Sequence, residues 1–214
     1  MNTNEIKNFI NKLTEEYIEN HTKIQGRDAL IEENNKIDSD TEAYHGREIF
    51  ELLQNADDAY QKSINDGEKP KEELAVNISY KNGVLTVTNT GTYFDREGIK
   101  AIVQGNNSTK PKDYYIGNKG TGFRSLLNWA TKIIINSGEC HVEFSEEIAQ
   151  NIFNQIKDCE QIRKQIKKQA ENKKKELFIP MYAVPEFIDN CEFSKTTRIE
   201  ITIDPQKKNI TKNQ

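Results

Sequence analysis

The stretch that most constrains the fold is "GREIFELLQNADDAY", residues 46–60, because it combines an apolar helical pattern with an acidic stripe. At about 100° per residue, Glu51, Asn55 and Asp58 fall within a stripe roughly 60° wide on one side of a helix. Apolar residues occupy much of the remaining circumference: Ile49, Phe50, Leu52, Leu53, Ala56 and Ala59. A helix that is apolar over most of its surface is expected to be buried, so the stripe should face a polar site inside the protein.

The composition limits what this helix can belong to. The chain has 214 residues, of which 35% are hydrophobic, enough for one sizeable domain with a core. Lys and Arg number 30 against 34 Asp and Glu, so the formal net charge of -4 provides no global basic field for nucleic acid. Three widely spaced cysteines indicate neither a disulfide framework nor a zinc site, and no apolar run is long enough for a membrane span. We therefore expect a cytoplasmic protein that does not enter a membrane.

Hydrophobic periodicity and turn residues predict the elements on either side of this helix. A helix over residues 4–20 is expected to dock on the domain, followed by a polar connector through Asp40. The sequences "LAVNISY", "KNG" and "VLTVTN", residues 74–89, predict a β-hairpin followed by a turn and a short helix. Residues 104–122 are polar and lack periodicity, which predicts a loop.

The C-terminal half is predicted to contain two more helical regions and two strands. Residues 123–132 are expected to be helical and 133–138 extended, and "TTRIEITID", residues 196–204, alternates as a strand does. The polar segment 146–176 is expected to be helical.

These predictions divide the chain into a docking helix and one main domain. The docking helix takes residues 1–25, a domain covers 26–204 with residues 146–176 as a polar helical insertion, and 205–214 form a charged tail. Within the insertion, residues 163–175 include seven Lys and Arg. Such a run is most often a solvated helix surface, with nucleic-acid binding as the less favoured alternative.

The sequence "IGNKGTGFRSLL", residues 116–127, has the character of a phosphate-binding loop. Glycines allow a backbone to wrap an anion, and the N-terminus of a following helix presents N–H groups and a favourable dipole. No parallel βαβ unit precedes it, so it is not a dinucleotide-binding fingerprint, and the Lys-Ser or Lys-Thr of a Walker A loop is missing.

In their order, these motifs resemble the GHKL ATPases, the Bergerat-fold group that includes gyrase, the ninety-kilodalton heat-shock chaperone, histidine kinases and MutL. "ELLQNADDA" is similar to the N box of that group, "LTVTNTGTYF" to its adenine motif, "IGNKGTGF" to its second glycine motif and "TTRIEITI" to its closing strand. Within the group, "GREIFELLQNADDA", "GNNSTK" and "KGTGFRSLL" look most like the sacsin-like ATP-binding domains. The implied fold is an α/β (α+β) two-layer sandwich, with a mixed, mostly antiparallel sheet covered by helices on one face.

The resemblance implies a role for each residue of the acidic stripe. Glu51 would be the general base that deprotonates the attacking water, and Asn55 would be the side-chain ligand of Mg²⁺. Asp58 would orient neighbouring groups or contact the nucleotide through water. The implied cofactors are therefore ATP and Mg²⁺.

The other motifs supply the base and phosphate contacts. Asn89, which stands where most of the group has aspartate, would meet the adenine amine, Gly91 and Phe94 would line the base, and Thr197 would support that contact. The phosphates would be held by the second glycine motif, comprising Gly117, Lys119, Gly120, Thr121, Gly122 and Phe123. Residues 105–115 would be a lid.

The function implied is Mg-ATP binding with slow hydrolysis coupled to lid closure, which makes the chain an expected ATP hydrolase. We expect it to be the N-terminal module of a larger sacsin-like or chaperone-like protein, with bacterial defence as one setting, and to dimerise, if at all, through downstream segments. A non-hydrolysing nucleotide sensor and a DNA-clamp ATPase of the MutL kind remain alternatives. A histidine kinase would not need a water-activating Glu51. The sequence does not identify a client protein or nucleic acid.

Overall fold

The computed structural model describes an α+β protein in which helices pack on an antiparallel sheet. The described residues are 2–23, 28–44, 46–65, 74–104, 123, 126, 129–172, 174 and 176–205. The α-helices in these ranges are α1 (Thr3–Lys23), α2 (Ala29–Tyr44), α3 (Glu48–Asn65), α4 (Arg96–Gln104), α5 (Glu146–Ile156) and α6 (Glu160–Glu171), and a 3-10 helix spans Met181–Ala183. The strands are β1 (Val76–Lys81), β2 (Val84–Asn89), β3 (Ala130–Gly138), β4 (Cys140–Ser145), β5 (Glu186–Phe187) and β6 (Ser194–Ile203).

The sheet has six strands in the order β1-β2-β6-β3-β4-β5. Every described pairing is antiparallel, including those of β6 with β2 on one side and β3 on the other. The expected mixed sheet is therefore replaced by an antiparallel one, because the C-terminal strand inserts between β2 and β3 and runs opposite to both. The predicted hairpin is confirmed, and its two-residue turn has positive φ angles at Asn82 and Gly83, 53° and 84°.

One face of the sheet forms the floor of the hydrophobic core. The strand registers place buried side chains in rows that run across the strands. One row contains Leu85, Ile201, Ile133 and Phe144, and the next contains Val87, Ile199, Ile135 and Val142. The alternate residues on the other face form ion pairs instead: Arg198 with Glu200, and Lys132 with Glu143.

Helix α1 confirms the predicted N-terminal helix and packs against α5, α6 and β5. Its apolar face, with Ile6, Ile10 and Leu13, belongs to the same hydrophobic core as the sheet. Among the described residues, no helix is both long enough and apolar enough to cross a membrane.

Helix α2 occupies the stretch where the sequence predicted a polar connector, so that prediction was wrong. Few apolar residues in it are spaced as on a helix, but Leu30 and Ile31 are buried. Their backbone N–H groups both donate to Oε1 of the buried Gln165 on α6, at 3.0 and 3.4 Å. A long-range contact thus satisfies the start of the helix, and local sequence gives no sign of it.

Segment 146–176 is mostly helical, as predicted, and forms α5 and α6 with a break at residues 157–159. The lysines of α6 contact carboxylates, since Lys164 pairs with Glu160 at 2.6 Å and Lys168 with Asp28. These ion pairs fit the reading of the basic run as a solvated surface.

Two further predictions need correction. Residues 130–132 belong to strand β3 and not to a helix over 123–132, because Lys132 pairs with Ser145 of β4 and Thr202 of β6. On α3, Phe50 and Leu53 are 68% and 37% exposed, so the helix is buried along a narrower face than its apolar content suggested.

Candidate functional site

The acidic stripe of α3 lies on the buried side of the helix. Glu51 and Asp58 are 7% and 4% exposed, and Asn55 between them is half-buried. The guanidinium Nη2 of Arg47, one turn earlier, lies 3.8 Å from Oε1 of Glu51. Burial of carboxylates is costly unless they have polar or cationic partners, so this face of α3 is a polar region within the protein.

Glu48 extends the stripe and was missed from the sequence. It is 2% exposed, which makes it the most buried carboxylate of the helix. At about 100° per residue it falls roughly 20° beyond Asn55, so the angular analysis that selected Glu51 could have found it.

A second polar cluster lies at the end of the sheet, in the next row after the apolar rows. Asn89 ends β2 and pairs with Thr197 of β6, and both are buried. Nδ2 of Asn89 donates to the carbonyl of Thr90 at 2.9 Å. This hydrogen bond uses the amide nitrogen, so the acceptor of the side chain is its Oδ1.

Ser137 connects this cluster to the loop that follows β2. Its Oγ lies 2.6 Å from Oγ1 of Thr197 and accepts a hydrogen bond from the backbone N–H of Phe94 at 2.9 Å. Ser137 is fully buried. Ser137 was not among the residues predicted from the sequence, although its alternation with Ile133 and Ile135 places a polar residue on the core face and was a usable signal.

The loop after β2 connects the sheet end to α3 by packing directly on the backbone of the helix. The N–H of Thr92 donates to the carbonyl of Ala59 at 2.9 Å. Gly91 has a φ of +119°, and a Cβ placed on it would lie 2.8 Å from the carbonyl carbon of Ala59 and from the nitrogen of Tyr60. Only glycine fits this approach, which holds the end of β2 beside α3 one residue after Asp58.

Asp95 provides a second connection between this loop and α3. Its Oδ1 accepts from the N–H of Gly98 at 2.8 Å, which caps the start of α4. Its Oδ2 pairs with Nζ of Lys62 on α3 at 3.0 Å. Phe94, between the two anchors, is partly buried against the core.

The structure therefore groups Asn89, Phe94 and Thr197 around Ser137 at the sheet end, and Gly91 contacts α3 at Ala59, the residue after Asp58. Glu51 and Asn55 lie on the same stripe as Asp58, further toward the N-terminus of α3. Phe123 is also described and is buried in the core, 6% exposed. The other residues predicted to hold phosphate, Gly117, Lys119, Gly120, Thr121 and Gly122, lie outside the described residues, as does the predicted lid, 105–115.

Two of the three histidines, His21 and His141, are described, and they lie in different polar environments. His21 stacks on Tyr17 at 4.0 Å, and its Nε2 lies 3.3 Å from Oε2 of Glu33. Burial lowers the pKa of His21, but hydrogen bonds to Glu33 and to the carbonyl of Tyr17 outweigh it and raise the pKa above 6.5. His141 contacts Oδ1 of Asn136 at 3.0 Å, and burial lowers its pKa. In the part of the chain that the structure describes, no group of three or more His, Cys, Asp or Glu residues could hold a metal ion.

No protein-family model matches the sequence, and no curated protein matches it either. The resemblance to the GHKL ATPases therefore depends on the sequence motifs alone.

Proposed function

We propose that this chain is a Mg-ATP-binding domain of the GHKL type, with a Bergerat fold, that hydrolyses ATP slowly. One observation carries the proposal. The loop that follows Asn89 is anchored on Ala59 by Gly91 and Thr92, so the Asn89–Thr197 end of the sheet is connected to α3 at the residue after Asp58 of the stripe. The resemblance assigns the stripe to magnesium and the γ-phosphate, and the sheet end to the adenine.

The chemistry of the sheet end fits an adenine. An exocyclic amine is a donor, and Oδ1 of Asn89 can accept a hydrogen bond from it, while Nδ2 of Asn89 donates to the carbonyl of Thr90. The hydroxyl of Thr197 is held by Ser137, so its position is fixed before a ligand arrives. Because Asn89 is an amide and not a carboxylate, its hydrogen bond to the adenine amine would lack charge assistance.

The chemistry of the stripe fits a magnesium-bound triphosphate. Mg²⁺ takes oxygen ligands and keeps several waters, so one amide oxygen from the half-buried Asn55 is a suitable protein ligand. Bound ATP would supply the phosphoryl group that is transferred to water. Glu51, one helical turn before Asn55, would orient that water and accept its proton, and burial would keep other water away from the carboxylate.

Calorimetry with Mg-ATP and Mg-ADP tests the binding step. We expect magnesium-dependent binding, which Asn55→Ala should weaken. Asp57→Ala is the matched control, because Asp57 lies on the same helix but off the stripe, and this variant should bind as the native protein does. No binding at millimolar nucleotide, or equal losses in the two variants, would count against the proposal.

Single-turnover hydrolysis assays separate an ATPase from a nucleotide sensor. Glu51→Ala should leave nucleotide binding nearly intact and lower hydrolysis by about 10²- to 10⁴-fold, the usual effect of losing a positioned base. Asp57→Ala again serves as the control. If the native protein binds ATP without hydrolysing it, the protein is a non-hydrolysing sensor. Equal, measurable rates for the native protein and Glu51→Ala would show that Glu51 is not the base.

A further inference from the structure

Strand β1 forms one edge of the sheet, and its hydrogen-bonding groups alternate in direction. The carbonyl of Ala75 accepts from the N–H of Thr90 at 3.2 Å, so odd-numbered residues of β1 exchange hydrogen bonds with β2. In an antiparallel ladder the intervening residues point their N–H and C=O groups the other way. The backbone groups of Val76 and Ile78 therefore point outward from the sheet edge.

The side chains of the same residues continue the core rows onto the edge strand. Ile78 pairs with Val87 and Tyr80 with Leu85, so both lie on the core-facing side of the sheet. There they are 42% and 50% exposed, and Leu74, on the same side just before the strand, is 37% exposed. An apolar strip thus borders a line of outward-pointing backbone groups.

Over residues 74–80, all of which the structure describes, this edge lacks several of the features that usually prevent pairing with another strand. Edge strands are commonly protected by charged side chains, proline or a bulge. The stretch "LAVNISY", residues 74–80, contains neither charge nor proline, and its register with β2 has no irregularity. The first charge is Lys81, at the turn.

We propose that β1 pairs with β1 of a second copy of this chain, antiparallel, across a two-fold axis at Asn77. In this register Val76 lies opposite the partner subunit's Ile78, and Leu74 lies opposite the partner subunit's Tyr80. In each Val76–Ile78 pair, the outward-pointing N–H and C=O groups of the two residues form hydrogen bonds between the subunits. The two-fold axis generates this pair twice.

A second copy fits this edge better than an unrelated strand, because the edge is complementary to itself. Across residues 74–80 apolar side chains meet apolar ones on the core side, and on the other side Asn77 meets its own symmetry mate. No charge meets a like charge, since the stretch has none. The interface is short, so the dimer should be weak, with a Kd between about 1 μM and 1 mM. The pairing does not depend on nucleotide.

Sedimentation velocity across a range of concentrations tests the pairing. The native chain should show a concentration-dependent dimer. Ile78→Pro removes an N–H that points away from β2, so the intramolecular ladder stays intact while pairing is lost, with at least about a tenfold rise in Kd. Ile78→Thr keeps that N–H and should raise Kd less. A native chain that stays monomeric would overturn the proposal, and the edge would then be available to a strand of another protein. An unchanged Kd for Ile78→Pro would overturn it as well.

Cysteine cross-linking tests the register without relying on proline. In a background with Cys159 and Cys191 changed to serine, Asn77→Cys places two thiols opposite each other at the axis, where Cα atoms about 4.5 Å apart permit a disulfide. Ser79→Cys lies on the same side of the strand, but its symmetry mate is too distant. Mild oxidation should give covalent dimers of the Asn77→Cys protein only. Cross-linking of Ser79→Cys at an equal rate, or of neither variant, would show that the pairing is not the one proposed.

Discussion

Replacing Gly91 with alanine should destabilise the protein more than the same change at Gly83. Both glycines have positive φ, +119° and +84°, so alanine at either carries a backbone strain of about 1–3 kcal/mol. At Gly83 a new Cβ would meet no atom within 4 Å. At Gly91 it would lie 2.8 Å from two backbone atoms of α3, at Ala59 and Tyr60.

The additional loss at Gly91 can be bounded from its surroundings. Forcing a methyl group into a packed contact costs about 1–3 kcal/mol. If the loop moves away instead, it loses the 2.9 Å hydrogen bond from Thr92 to Ala59, and leaving such groups unpaired costs about 1–3 kcal/mol as well. By either route Gly91→Ala should lose about 1–3 kcal/mol more stability than Gly83→Ala.

Urea unfolding monitored by circular dichroism measures the two free energies of unfolding. Gly46→Ala is a second control, because Gly46 also has a positive φ, +81°, and open space around it. A Gly91→Ala loss within about 0.5 kcal/mol of the two controls would refute the close approach of the loop to α3.

Three other outcomes are expected. Ser137→Ala should cost about 1–3 kcal/mol of stability, because the N–H of Phe94 loses its acceptor, whereas the exposed Ser79→Ala should be nearly neutral in the same urea titration. The pKa of His141 is lowered, so its neutral form contributes stability that is present above the ordinary pKa of 6.5 and is lost as pH falls below it. His141→Gln lacks this contribution, so between pH 8 and pH 5 the variant should lose less stability than the native protein does. The pKa of His21 is raised, so its contribution to stability is present below pH 6.5 and is lost as pH rises through the folded pKa. Between pH 5 and pH 8 the stability of His21→Gln should therefore fall less than that of the native protein. A plot of stability against pH that runs parallel to the native plot, for either histidine variant, would contradict the corresponding assignment.

The elements that sequence predicted well are those whose signal lies within a short window. The hairpin follows from alternation and from Asn82 and Gly83, which suit the positive φ angles of its turn. Helix α3 and strand β6 follow from their periods of 3.6 and 2 residues. The same periodicity selected Glu51 and Asp58 as residues with an unusual environment, and both are buried.

What tertiary structure decided depends on contacts between distant residues. Helix α2 was missed because its start is held by Gln165, more than a hundred residues away, and the position of β6 between β2 and β3 is set by pairing and not by local propensity. Ser137 became part of the candidate site only when register placed it beside Thr197. The sequence determined which residues are polar on an otherwise apolar face, whereas the packing of the Gly91 loop on α3 determined which of them meet, because only the folded backbone brings separate elements within hydrogen-bonding distance.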